Sequence, residues 1–168
     1  MTGDLARLLF ATDVHPVRYV LRAWPLAMVP TFAIALVLSS LSRLAGLDHL
    51  FDESQWKALV ELSKPMLLFQ IVVFAPLAET LLMAPLLALL MRLFHGRRTY
   101  AALASAAVWA GLHSLSAIVW GLCIFWTFLV FSSAWLAWRP RSFKHAYFVT
   151  AGIHALNNSV AGLGLLVS

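Results

Sequence analysis

Carboxylates and cysteine are the scarce residues of this chain. Seven of its 168 residues are Asp or Glu, one is Cys, and charged residues of both signs together make up 11%. A soluble domain carries about 25% charged and about 45–50% apolar residues. Here the hydrophobic share is 62% and the mean hydropathy is +0.86. Those values exclude an ordinary soluble domain and predict an all-α, polytopic membrane bundle, because helices satisfy their own backbone polar groups in lipid. The lone Cys123 excludes an internal disulfide and a metal–thiolate cluster. No stretch is Ser/Gly-rich or repetitive, so 1–168 reads as a single integral-membrane domain. The net charge of +5 is spread over short loops, where membrane topology explains it better than nucleic-acid binding does.

About 20 apolar residues cross the hydrocarbon. Hydropathy predicts five transmembrane helices, near 20–42, 65–92, 99–116, 117–138 and 143–167. The second is longer than a crossing needs, which predicts a tilt, or kinks at Pro76 and Pro85. Ser114-Leu115-Ser116 is the expected hinge between the third and fourth. With five spans, Arg7, Arg18, Arg22, Arg92, Arg97, Arg98, Arg139, Arg141 and Lys144 share one side, and Arg43, Lys57 and Lys64 the other. Nine cations against three places the N-terminus in the cytoplasm. Trp24, Trp56, Trp120, Trp135 and Trp138 fall near span ends, as an interfacial belt would. The stretch 1–22 has the pattern of an amphipathic helix lying on the cytoplasmic surface, and 43–64 that of a similar piece outside. The apolar run Ala23–Leu41 is too long for the core of a cleaved signal peptide.

Three polar sites interrupt these apolar segments. Glu79 lies near the midplane of the second span, fifteen residues from Lys64 and thirteen from Arg92. Neither cation reaches it by snorkelling. A carboxyl at that depth costs a few kcal/mol unless something pairs with it or uses it. It is either a structural acid hydrogen-bonded to another helix or a general base. His113 sits in the third span among Ala101, Ala104, Ser105, Ala107 and Gly111, small residues that let a neighbouring helix come close. They predict that His113 approaches the Glu79 helix. His154 and Asn158, four residues apart, share one face of the fifth span. They read either as interhelical glue or as site residues. An acid with imidazole and amide donors, each from a separate span, is what peptide hydrolysis inside a membrane requires.

These motifs resemble the CPBP family of intramembrane proteases, which includes the CAAX-prenyl endopeptidases and the bacterial abortive-infection-type proteins. The family pattern is APxxEExxxR, then an aromatic residue four before a His, then HxxxN. Ala75-Pro76-Leu77-Ala78-Glu79 opens the first motif, Trp109 to His113 supplies the second, and His154 to Asn158 the third. The resemblance covers about residues 70–160. Thr80 replaces the second Glu and Ala84 the Arg. Losing both members of a buried ion pair is far less costly than losing one.

The resemblance implies an endopeptidase in which Glu79 activates water. His113 and Asn158 would then stabilise the oxyanion, each donor contributing about 3–4 kcal/mol, and His154 would hold the water or the substrate carbonyl. No cofactor is expected. The alternative is a zinc enzyme with Glu79, His113 and His154 as ligands, which leaves no second carboxylate to act as base. A non-enzymatic alternative is a catalytically silent membrane partner or immunity-type protein. The expected partners are the bilayer and a membrane-embedded or membrane-tethered peptide, with no nucleic acid. The expected location is a prokaryotic inner membrane.

Overall fold

Helices form where the apolar spans are predicted, and their ends follow local signals. The computed structural model describes residues 9–47, 61–115 and 118–167, and every regular element among them is helical. Helix α1 (Pro16–Leu44) begins on a proline, whose missing N–H is no loss in a first turn, with the His15 ring accepting from Val17 N–H at 3.3 Å. It ends where Gly46, at φ +67°, turns the chain so that Leu47 N–H reaches the Ser42 carbonyl. Helix α2 (Lys64–Leu93) is continuous but not uniform, with a π-helical stretch, Phe69–Phe74, between α-helical Lys64–Leu68 and Ala75–Leu93. A tight turn through His95 and Gly96, both at positive φ, leads into α3 (Arg98–Ser114). Helix α4 (Ile118–Trp138) follows, and α5 (Phe143–Val167) starts with Ser142 Oγ accepting from His145 N–H at 3.0 Å.

Three of these helices, α1, α2 and the Val119–Trp138 part of α4, are long and apolar enough to cross a membrane. Their burial differs sharply. In the apolar window of α4, 78% of residues are buried, against 11% in α1 and 22% in α2. So α4 is the central post. It packs most extensively on α3, then on α1 and α5, and only slightly on α2. Helix α5 bridges α1 and α2: Gly152 meets Val20, and Gly162 meets Leu68, Ile71 and Val72. The outer faces of α1 and α2 carry exposed Phe32, Leu36, Phe69 and Leu82, as a lipid-facing surface would.

Several expectations need correction. Trp135 and Trp138 are 2% and 0% exposed, core residues rather than lipid anchors. Trp138 meets Tyr19 edge-on at 5.3 Å, tying the end of α4 to the start of α1. The small-residue stripe of α3 is also shifted. Ala101, Ala102, Ser105, Ala106 and Ala110 are buried, whereas Ala107 and Gly111 face outward. The buried stripe serves mainly α4, with Ser105 and Ser132 joined at 2.9 Å. At the α3–α4 junction a Cβ on Gly121 would run into Ser114 Oγ and the Ala110 carbonyl, so only glycine fits. Within the hinge, α3 ends at Ser114 while Ser116 lies outside the described residues. So do Trp56, residues 1–8 of the first surface segment and 48–60 of the second, while the rest of 1–22 is no separate amphipathic helix, since 11–15 are not helical and 16–22 are the first turns of α1.

Prolines shape the interior through the carbonyls they free. Pro30 lacks the N–H that would bond Leu26 four residues back, and the Leu26 carbonyl instead accepts from Trp126 Nε1 of α4 at 2.7 Å. A hydroxyl pair, Thr31 with Thr127 at 2.6 Å, reinforces the contact one turn on.

Candidate active site

The same logic operates in α2, where Pro76 follows the π turn. In that turn Ala75 N–H bonds Gln70, five residues back. The next N–H in that register would serve Ile71, but position 76 is proline and has none. The Ile71 carbonyl accepts instead from Asn158 Nδ2 on α5, at 3.0 Å. One of the two amide protons of Asn158 is therefore used to dock α5 onto the widened turn of α2. Tyr147, three turns earlier on α5, donates to the Leu77 carbonyl at 3.1 Å. These two bonds fix the register of α5 against α2.

That register brings the acid and one imidazole together. Glu79 Oε2 stands 3.8 Å from His154 Nε2, within ion-pair range and longer than a hydrogen bond. The carboxyl side chain is 24% exposed and the imidazole 4%. The His154 ring is walled by α4, with Phe131 at 4.5 Å and Phe128 edge-on at 5.8 Å between centroids. His113 lies across Phe128, at 5.3 Å, and its Nδ1 bonds the Trp109 carbonyl of its own helix at 2.8 Å. Phe128 thus contacts both imidazoles and also stacks on Trp109 at 5.0 Å.

Among the described residues, the buried polar atoms without a hydrogen bond include Thr80 Oγ1, next to the acid in sequence, Thr150 Oγ1 and Trp109 Nε1, each one turn before a site histidine, and His154 Nδ1. Thr80 is fully buried where the family pattern has an acid, and Ala84 is partly buried against the core where it has a cation. The Phe128–Phe131 wall, the role of Tyr147 and the freed Ile71 carbonyl were not anticipated from sequence. Of these only the carbonyl had a signal, a proline five residues downstream.

The structure brings Glu79 to His154, sets both His113 and His154 against Phe128, and holds Asn158 on Ile71. Among the described residues no three His, Cys, Asp or Glu side chains converge as a metal-ligand group. The Glu79/His113/His154 set is not assembled as a zinc site, and the Glu79–His154 pair supplies two donors where a catalytic zinc needs three. In comparisons with known proteins, the chain matches no family model, no curated protein and no solved structure.

Proposed function

We propose that this protein is an intramembrane endopeptidase of the type its motifs resemble, a five-span bundle with a cytoplasmic N-terminus in a prokaryotic inner membrane. The observation that carries the reading is the Glu79–His154 juxtaposition across α2 and α5. Two polar atoms 3.8 Å apart can share one water set to the side of the line joining them. Glu79 takes a proton from that water as its oxygen attacks the peptide carbonyl carbon. The oxyanion then collapses, the C–N bond breaks, and the proton on Glu79 passes to the leaving amine. His154 orients the water. Asn158, with a second amide proton, is an oxyanion donor; His113 already gives its Nδ1–H to the Trp109 carbonyl, so its Nε2 joins as a donor only when the ring is doubly protonated. The substrate is a membrane-embedded or membrane-tethered peptide reaching the site from lipid.

One observation favours a second reading, a catalytically silent membrane partner. His113 and Asn158 each bond a backbone carbonyl, as purely structural residues would. Comparison of membrane-protein fragments from cells carrying the native chain and cells carrying Glu79→Gln separates the two. Proteolysis predicts fragments present with the native chain and absent with the variant at equal membrane abundance. Identical fragment patterns would leave the silent reading standing.

A further inference from the structure

At the basic end of the bundle a cleft of about 320 Å3 opens between α2 and the α4–α5 junction. Its floor is apolar, with Leu87 and Met91 of α2 facing Trp135 and Leu136 of α4. Ala84 and Ala88, one turn apart on α2, are too small to close it. Outward, the lining continues through Leu81, Pro85 and Phe143, with Arg139 at its edge, to the exposed apolar surface of α2.

Charge is confined to the mouth. Arg98 at the start of α3 and Arg139 just beyond α4 both border the cleft and both are exposed. The Arg139 guanidinium lies 5.9 Å from the Phe143 ring centroid, which keeps it over the rim. Asp13, Glu61 and Glu79 are the acids among the described residues, and neither arginine pairs with any of them. Two guanidinium groups without a carboxylate, above an apolar slot open to lipid, complement an amphiphile with an anionic head.

We propose that this cleft binds an anionic phospholipid, one acyl chain lying along Ala84 and Ala88 and the phosphate held between Arg98 and Arg139. A volume near the lower bound of about 300–1,000 Å3 for small-molecule sites suits a chain segment rather than a whole lipid. The site is distinct from Glu79 and His154 and requires only that the basic end lie at a bilayer surface, so it stands whether or not the protein cleaves peptides.

Trp135 lines the slot, so bromine on an acyl chain reads occupancy by quenching its fluorescence. The full chain is placed in phosphatidylcholine nanodiscs with a small fraction of brominated phosphatidylglycerol. The converse sample has brominated phosphatidylcholine in phosphatidylglycerol, and Trp135→Phe provides the subtraction. The anionic probe is expected to be enriched about tenfold at Trp135, given the attraction each surface cation exerts on acidic lipids. The excess should vanish in R98Q/R139Q and survive in the charge-conserving R98K/R139K. With Trp135 intact, A84L/A88L should also remove it by filling the slot. Equal quenching by both probes, or an excess persisting in R98Q/R139Q, overturns the proposal. So does an excess that persists in A84L/A88L, which would place the brominated chain outside the slot.

Discussion

Glu79 and His154 are 75 residues apart in sequence, on different helices, and the pair sits where neither flanking cation of α2 can reach. If the carboxyl is the base, Glu79→Gln keeps its size and hydrogen-bonding while removing proton acceptance. Fragment release should fall by about 10²–10⁴-fold with the unfolding temperature close to native, measured on the purified protein in detergent. His154→Phe should cost comparable activity but disturb packing more, since Phe128 and Phe131 enclose the ring. That Glu79 would face a polar group of another helix was legible in sequence, because a carboxyl at hydrocarbon depth demands a partner. Which face of α3 packs inward was not, since the alternation of small residues there leaves two faces nearly equivalent.

At the scale of the element, α1 and α2 contain prolines that α4 and α5 complete. Removing the cross-helix donor strands a buried carbonyl, at a cost of about 1–3 kcal/mol. Asn158→Leu should therefore destabilise the native chain, and less so in a Pro76→Ala background, where position 76 regains an N–H for its own helix. Trp126→Phe should likewise cost less when combined with Pro30→Ala. Urea or thermal unfolding of each double-mutant cycle should give coupling energies of about 0.5–3 kcal/mol. Strict additivity in both cycles would show that the freed carbonyls are not what these side chains serve. Helix positions were readable from hydropathy to within a few residues, and a distortion of α2 was expected from its prolines. The π turn itself was not readable, since it arises from accommodation between Pro76 and the docked face of α5 rather than from any local propensity.

For the whole molecule the central feature is α4, which hydropathy alone cannot tell from a lipid-facing helix. Gly121→Val should drive α3 and α4 apart at Ser114 and lower the unfolding temperature by several degrees, whereas Gly111→Val, with open space around it, should be nearly neutral. Topology is testable in a Cys123→Ala background with membrane-impermeant thiol reagents. Five spans require Thr12→Cys and Arg141→Cys to label from one side and Leu47→Cys from the other. If only the three long apolar helices cross, Arg141→Cys labels from the same side as Leu47→Cys. The arrangement also sets an order of assembly. Helix α1 has its main contacts with α4 and α5, and its two cross-helix hydrogen bonds bridge 96 and 100 residues. Were α1 to enter a bilayer as it is made, its Leu26 carbonyl would stay unanswered until α4 had been synthesised, about 100 residues later. Any factor that shelters nascent membrane segments would find its longest-lived client in that first helix.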